Sequence, residues 1–312
     1  MLVALKLVSR AREDDIINLK DFLSKNCTDP ELSDLILFFS NQASTIKKGF
    51  LGSEGKAGTS NIYGEEQMAL DRWADDVLIN ELKRTRLARW VSSEEQPGII
   101  EIQNPIHEFG IVIDPLDGSS LIDVNLAVGT IIGIYPGSVL VPGNTMLAAM
   151  YILYGPLTTL TFSTGNGVHD FVMDENGEFN LKAENIRIPE GKLYAPGALR
   201  KDYLPEHAAF IETLENQGYK LRFSGSFVAD MHQILHKGGL FTYPGFKGRE
   251  NGKLRLLFEA NPIGKIITDA GGRISNGKTD ILSLKPESID QRTPVYAGGK
   301  KEIDLIEKLM AD

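Results

Sequence analysis

The sequence has one cysteine, no long apolar segment and no excess of positive charge. With Cys27 alone, the 312-residue chain can form neither an intrachain disulfide nor a dithiol redox pair. The apolar residues 2–8 are too few to cross a bilayer, and no small-residue cleavage pattern of a signal peptide follows them. We therefore expect a cytoplasmic protein without a disulfide framework.

The formal net charge of −9 argues against nucleic acid or an anionic membrane as the main partner. An anionic substrate would need metal ions and a few well-placed cations. The sequence also lacks internal repeats and low-complexity tracts, and no Gly-x-Gly-x-x-Gly follows a first strand. A doubly wound dinucleotide-binding fold is therefore disfavoured.

Hydrophobic periodicity predicts helices first, then strands, then a mixed region. The spacing predicts helices over residues 13–22, 30–48 and 65–84, with a mobile loop over 49–64, and strands over 99–102, 110–113, 128–135, 146–153, 158–162 and 168–173. Beyond residue 191 it predicts helices over 208–216, 228–236, 262–270 and 301–310, and strands over 220–223 and 254–258. This order indicates a layered α+β or α/β architecture, with an N-terminal metal and phosphatase lobe (1–190) and a C-terminal sugar-phosphate-binding lobe (191–312).

One short motif carries most of the chemical information. An apolar strand ends in Asp114 and Asp117, and Gly118, Ser119 and Ser120 follow at once. Carboxylate oxygens suit Mg²⁺ or Mn²⁺, and the backbone N–H groups of a Gly-Ser-Ser turn suit a phosphate. Taken alone, the motif is explained about equally well as a strand with its exit turn.

Two further carboxylate positions favour the chemical interpretation. Glu94 and Glu95 lie about twenty residues earlier, and Glu259 ends the apolar run 254–258. Asn261 and Pro262 follow as a predicted helix start, which places Glu259 at a strand-to-helix corner. Together these carboxylates predict a metal-dependent phosphatase site.

The runs DPLDGSS, SSEE and KLRLLFEANP resemble the class I fructose-1,6-bisphosphatase and sedoheptulose-1,7-bisphosphatase family, from about residue 58 to the C-terminus. Residues 64–67, 92–97, 148–156 and 195–200 are closer to the sedoheptulose branch. The resemblance implies a homotetrameric sugar phosphatase with alternating helix and sheet layers. It also implies an enzyme of gluconeogenesis or of Calvin-cycle or pentose phosphate metabolism that removes the 1-phosphate from one or both sugar bisphosphates. Such an enzyme uses two or more Mg²⁺ ions, or Mn²⁺ in their place.

The same resemblance implies a role for each site residue. Glu94, Asp114, the Leu116 carbonyl, Asp117 and Glu259 match the metal ligands, and Glu65, Asp71 and Glu95 match the catalytic acidic group. The segment between the glutamate pair and the DPLDG motif is one residue shorter than usual, so Glu95 stays an alternative to Glu94 as the ligand. Gly118, Ser119 and Ser120 match the cradle of the 1-phosphate. Tyr243 and Lys253 match the distal phosphate site, with Arg255 as a further candidate, and Arg222 matches an arginine that reaches in from a neighbouring subunit.

Several departures from the family pattern leave the substrate open. Phe223 stands where fructose-specific members carry Tyr, and residues 197–200 lack their Asn-x-x-Tyr pair, whereas Tyr243-Pro244 and Gly252-Lys253 resemble the fructose enzymes. Glu108 and Phe109 replace the Lys-Tyr pair of AMP-inhibited members, so we expect no AMP inhibition at that position.

The same residues allow alternative interpretations. An inositol-monophosphatase-like or bisphosphate-nucleotidase-like enzyme would share the Asp-Pro-Leu-Asp-Gly run, but it would not need the distal residues Arg222, Tyr243 and Lys253. A phosphosugar-binding regulator is disfavoured because all four metal carboxylates are present. His232 and His236, at i and i+4, could bind a metal on one helix face, but they lack the His-Glu-x-x-His glutamate. An exposed or half-buried helix face is the favoured interpretation of the pair.

Overall fold

The computed structural model describes residues 16–53 and 63–311, without the side chains of residues 52, 53 and 63–68. The described helices are α1 (Leu19–Asn26), α2 (Pro30–Ser53), α3 (Tyr63–Thr85), α4 (Pro205–Asn216), α5 (Phe227–Lys237), α6 (Asn261–Asp269) and α7 (Lys300–Ala311). The described strands are β1 (Trp90–Ser93), β2 (Ile100–Glu101), β3 (Gly110–Asp117), β4 (Val128–Tyr135), β5 (Ala148–Tyr154), β6 (Thr158–Ser163), β7 (Val168–Met173), β8 (Phe179–Ala183), β9 (Leu193–Pro196), β10 (Lys220–Leu221), β11 (Leu240–Tyr243), β12 (Arg273–Ser275) and β13 (Val295–Gly298).

These strands form two sheets. The first has the order β2-β1-β3-β4-β5-β6-β7-β8 and is antiparallel except for the β1–β3 pair. The second has the order β10-β9-β11-β13-β12, in which β10, β9 and β11 run parallel. None of the helices in the described part of the chain combines the length and apolarity needed to cross a membrane.

Helices cover both faces of each sheet. Ile111 and Ile113 pack with the core of α1, α2 and α3, whereas Val112 points to the other face and packs with α5 and α6. Phe241 of the second sheet belongs to the same central layer, and Leu240 packs on the opposite face with α4 and α7. The result is an α-β-α-β-α stack, which confirms the layered architecture predicted from the sequence.

The N-terminal helices differ from the prediction at their ends. The first described helix begins at Leu19, because the Asn18 side chain caps it and accepts a hydrogen bond from the Asp21 N–H at 2.8 Å. Residues 16–18 are not helical, and residues 13–15 lie outside the described part. Helix α2 continues to Ser53, so the predicted loop over 49–64 is wrong at both ends. Residues 54–62 of that loop lie outside the described part.

The predicted strands over 128–135 and 168–173 are confirmed in full. The predicted strand over 254–258 is wrong: residues 256–260 form a π-helical turn that continues into α6 without a break. Asn261 is therefore not a helix cap but a buried helical residue. A short run of mostly apolar residues has no period that separates a strand from a buried helical turn.

Candidate active site

A β-bulge brings the two aspartates of the central motif onto one face of β3. Residues three apart on a regular strand point to opposite faces. Here Asp114 lies opposite Ile131 and Asp117 lies opposite Gly129, so three steps on β3 match two steps on β4. Because of the extra residue in β3, the side chains of Asp114 and Asp117 point to the same face of the sheet. The Leu116 N–H donates to Asp114 Oδ1 at 3.0 Å, which holds the bulge closed.

Glu259 joins these aspartates from the π-helical turn. One carboxylate oxygen from each of Asp114, Asp117 and Glu259 lies within 4.8 Å of the others, and all three side chains are buried. The Arg255 N–H donates to Glu259 Oε2 at 2.6 Å, which fixes this carboxylate in the turn. A π-turn inside a helix often marks a functional site, and this one delivers a carboxylate across 145 residues of sequence.

The three carboxyl groups are electrostatically unfavourable for one another. Burial raises the pKa of Asp114 and of Glu259 well above their ordinary values, and the charges of Glu94 and Asp117 raise both further. Burial also raises the pKa of Asp117, against hydrogen bonds that Ser226 and Val228 donate to it. Buried like charges of this kind are stable when they coordinate a cation.

The donor set fits a hard divalent cation. It consists of carboxylate oxygens from β3 and from the π-helical turn, and carboxylate oxygen is the ligand type that Mg²⁺, Mn²⁺ and Ca²⁺ prefer. The carboxylates of Asp114, Asp117 and Glu259 could hold the ion, and Glu94 lies within electrostatic reach of all three. The Leu116 side chain is buried in the hydrophobic core, and the role of its carbonyl as a ligand stays a prediction.

Glu94 and Glu95 occupy different surroundings at the end of β1. Glu94 pairs with Arg255, with 3.0 Å between Oε1 and Nε. Glu95 follows in the turn, where burial and then the charges of Glu94 and Asp75 raise its pKa. Glu94 therefore lies near both the carboxylate cluster and the Arg255 guanidinium, whereas Glu95 faces α3.

Helix α3 supplies two acidic side chains to the site. Burial is the main cause that raises the pKa of Asp71 to about 6, and the Ser119 hydroxyl donates to its Oδ2 at 3.1 Å. Asp75, one turn further on, is buried, accepts a short hydrogen bond from Gln96, and leaves Oδ1 without a hydrogen-bond partner. Sequence reasoning missed Asp75, although its i+4 spacing from Asp71 was a usable signal. The Glu65 side chain lies outside the described residues.

The turn after Asp117 depends on contacts with α5. Gly118 has a φ of 77°, and a Cβ added there would lie 2.7 Å from the Ser226 Cβ. Asp117 Oδ2 accepts hydrogen bonds from the Ser226 hydroxyl at 2.7 Å and from the Val228 N–H at 2.8 Å. Asp117 therefore acts as an anion at the N-terminus of α5. Ser226 was also missed, and its place before an apolar helical run was the signal for it.

The predicted distal residues fall into two groups. Lys253 Nζ lies 5.6 Å from the centre of the Tyr243 ring. The Lys253 charge opposes the burial that raises the pKa of Glu259, so this pair borders the carboxylate cluster. Gly197 permits this arrangement, because a Cβ there would lie 2.2 Å from the Tyr243 ring. Arg222 is exposed and donates to the Leu221 carbonyl at 2.8 Å. Arg255 contacts Glu94 and Asp290 rather than solvent.

A layered α/β fold with clustered carboxylates beside a Gly-Ser-Ser turn and a distal lysine defines a metal-dependent phosphatase class. Residues 29–184 match the family described as fructose-1-6-bisphosphatase, N-terminal domain, and residues 188–311 match its C-terminal domain. The chain belongs to the fructose-1,6-bisphosphatase family, and it is accordingly a phosphoric monoester hydrolase of the sugar bisphosphatase class.

Individual relatives support the same assignment. A class 1 fructose-1,6-bisphosphatase of Methanocorpusculum labreanum is 47% identical over 296 residues, which cover 95% of this chain and 92% of the relative. One from Trichlorobacter lovleyi is 50% identical over 256 residues, 81% of each chain. The holo crystal structure of Leishmania major fructose-1,6-bisphosphatase superposes with a TM-score of 0.88 at 29% identity, covering 95% of this chain and 100% of that chain.

Proposed function

We propose that the chain is a Mg²⁺-dependent sugar bisphosphatase that removes the 1-phosphate of fructose-1,6-bisphosphate, sedoheptulose-1,7-bisphosphate or both. The convergence of Asp114, Asp117 and Glu259 within 4.8 Å carries this proposal. These carboxylates come from two distant parts of the chain, and a bound cation offsets the energetic cost of burying their charges together. Mn²⁺ is expected to substitute, because its oxygen-ligand preference is similar.

The reaction needs a large reduction of a very high barrier, about 20 kcal/mol or more for phosphate monoesters. Divalent cations bound by Glu94, Asp114, Asp117 and Glu259 would polarise the phosphoryl oxygens, acidify a water and neutralise the leaving alkoxide. Asp71 and Glu95 lie next to this cluster with raised pKa values, which suits groups that accept the proton of the attacking water. The backbone N–H groups of residues 118–120 then face the transferred phosphoryl group.

Tyr243 and Lys253 are proposed to bind the distal phosphate of the bisphosphate. The lysine ammonium over the tyrosine ring leaves its N–H donors available to an anion, and Lys253 is exposed at the site border. The exposed Arg222 is proposed to complete the site of a neighbouring subunit in a homotetramer. This requirement for two anionic ends distinguishes the proposal from an inositol-monophosphatase-like activity.

A matched pair of variants tests the proposal. Glu259→Gln keeps the size and the acceptor for the Arg255 N–H but removes a metal-binding charge, so phosphate release should fall at least 100-fold. Glu287→Gln makes the same change at an exposed glutamate and should leave release unchanged. The measurement is phosphate release from fructose-1,6-bisphosphate and sedoheptulose-1,7-bisphosphate with Mg²⁺ and with a chelator. Full turnover by Glu259→Gln, or metal-independent turnover, contradicts the proposal.

A further inference from the structure

Helix α5 and strand β7 bring together a second group of metal-ligating side chains, apart from the carboxylate cluster. Asp170 of β7 and His232 and His236 of α5 each place one ligand atom within 4.8 Å of the others. Asp170 is fully buried, and the two histidines are half-buried. His236 lies about 12 Å along α5 from Val228, the residue that contacts Asp117.

The His236 ring presents an unpartnered nitrogen to Asp170. Its Nε2 is buried without a hydrogen-bond partner and lies 3.6 Å from Asp170 Oδ2. That separation is too long for a hydrogen bond. Two ligand atoms bound to Zn²⁺ at 2.0–2.1 Å in tetrahedral geometry lie roughly 3.3 Å apart, so a small adjustment would place one ion between them.

Neighbouring side chains hold the other two candidates in position. The Tyr151 hydroxyl is 2.9 Å from His232 Nδ1, which leaves Nε2 as the ring nitrogen for a metal. The Thr161 hydroxyl donates to Asp170 Oδ1 at 2.9 Å, which leaves Oδ2. The two imidazole rings lie next to each other, with 4.5 Å between their centres. Outer partners of this kind are typical of histidine and carboxylate metal ligands.

We propose that Asp170, His232 and His236 form a site for a divalent transition metal of the Zn²⁺ class, with water completing the coordination. Two imidazoles and one carboxylate favour Zn²⁺, Cu²⁺ or Ni²⁺ over Mg²⁺. The ion joins β7 of the first sheet to α5, which also packs on the second sheet. It therefore ties the two sheets together rather than taking part in phosphate release.

Lys182 competes with such an ion. Its ammonium lies 2.8 Å from Asp170 Oδ2, the oxygen that would bind the metal, and its side chain is 39% exposed. The ammonium can therefore move into solvent when the ion binds. Because a cation in this position repels a second one, Lys182→Met should tighten metal binding.

The test is a Zn²⁺ titration of the whole protein in excess Mg²⁺, which keeps the carboxylate cluster occupied. We expect one Zn²⁺ per chain, with binding weakened more than tenfold in His236→Asn and His232→Asn and tightened in Lys182→Met. His107→Gln is the matched control, because this histidine also faces two carboxylates, Glu31 at 3.3 Å and Asp34 at 3.8 Å, and its loss should change nothing.

A measurement on the unaltered protein guards against variants that fold poorly. One equivalent of Cu²⁺ added in excess Mg²⁺ should give an electron paramagnetic resonance spectrum with nitrogen coupling from two imidazoles. Absence of that coupling, no Zn²⁺ uptake, or equal uptake by His236→Asn and the unaltered chain overturns the proposal. These outcomes do not bear on the bisphosphatase proposal, because phosphate release is measured with Mg²⁺ alone.

Discussion

At the scale of single residues, burial raises the pKa values of the carboxyl groups in the site. Asp71 is the clearest case, since burial raises its pKa to about 6, against a hydrogen bond from Ser119. A base with a pKa near the working pH accepts a proton and releases it again most effectively. The neighbouring charges of Glu95 and Glu94 raise the pKa of Asp71 further.

Asp71 leads to a pH prediction. A base must be deprotonated, so the acidic limb of kcat/KM should follow the titration of Asp71 and rise with pH through that range. Ser119→Ala removes the hydrogen bond that lowers the Asp71 pKa, so the limb should move to higher pH. Asp71→Asn should lower kcat by at least 100-fold. The pH profile of phosphate release measures all three, and a limb that stays unmoved in Ser119→Ala contradicts the role given to Asp71.

Gly118 leads to a stability prediction with a close control. Its φ of 77° disfavours any side chain, and an added Cβ would meet the Ser226 Cβ at 2.7 Å. Gly118→Ala should therefore lower the free energy of unfolding by about 1–3 kcal/mol and reduce activity as the phosphate cradle moves. Gly98→Ala adds a Cβ with no atom within 4 Å and should change neither. Equal effects of the two changes in thermal unfolding would contradict this account.

At the scale of elements, the N-terminus of α5 is joined to the carboxylate cluster through the Ser226 hydroxyl and the Val228 N–H. The Ser226 hydroxyl donates to Asp117 Oδ2 and also accepts from the Ala229 N–H at 3.2 Å, so it caps α5 and orients a proposed metal ligand together. The π-turn at 256–260 orients Glu259 in a similar way, because the Arg255 N–H donates to its carboxylate. Both carboxylates are therefore held by the ends of helices rather than by flexible loops.

Ser226→Ala should cost about 1–3 kcal/mol of stability, because it removes a helix cap and leaves a buried acceptor on Asp117 with one partner fewer. The apparent affinity for Mg²⁺ should weaken at the same time, since Asp117 loses its orientation. Ser24→Ala removes an exposed hydroxyl that donates to the Asp21 carbonyl and should have little effect on either quantity. Chemical denaturation and Mg²⁺-dependent kinetics measure the two effects; unchanged Mg²⁺ affinity in Ser226→Ala would contradict the link.

At the scale of the whole molecule, the buried carboxyl groups make stability depend on both pH and metal. Burial raises the pKa of Asp71, Asp114, Asp117, Glu259 and Asp230 in the folded state. Between the ordinary and the raised pKa values, the folded chain holds protons that the unfolded chain has released. The stability of the metal-free protein should therefore fall as pH rises through this window, starting near pH 4.

Bound cations should reverse this trend. The increase in Tm on adding Mg²⁺ should be larger at pH 8 than at pH 5, because the ligands must be deprotonated to bind. Glu259→Gln removes one buried charge, so it should raise the Tm of the metal-free protein and shrink the Mg²⁺ effect. Thermal unfolding with Mg²⁺ and with a chelator at both pH values measures this. A Mg²⁺ effect equal at the two pH values would contradict it.

Two features of the fold show where prediction from sequence succeeded and failed. Strands β4 and β7 were bounded correctly, because their apolar runs end at clear turn residues such as Pro136-Gly137. Residues 254–258 were predicted as a strand and form the π-turn instead, since a short apolar run fits either structure. In the site, Asp114 and Glu259 lie close together, and their role as metal ligands stays a prediction. The partners of Asp75 and Ser226, Gln96 and Asp117, lie far away in the sequence, so the local signals for these two residues could not reveal them.

The sequence by itself determined which chemical groups are present: the strand that ends in Asp-Pro-Leu-Asp-Gly-Ser-Ser, the acidic pair at 94–95, and the layered order of helices and strands. These are local properties, set by side-chain type and spacing. Only the tertiary structure decided that a bulge turns Asp114 and Asp117 to one face, that a π-turn brings Glu259 to them, and that Asp170 meets His232 and His236. Such contacts depend on how distant segments pack, and packing is decided by the whole buried core.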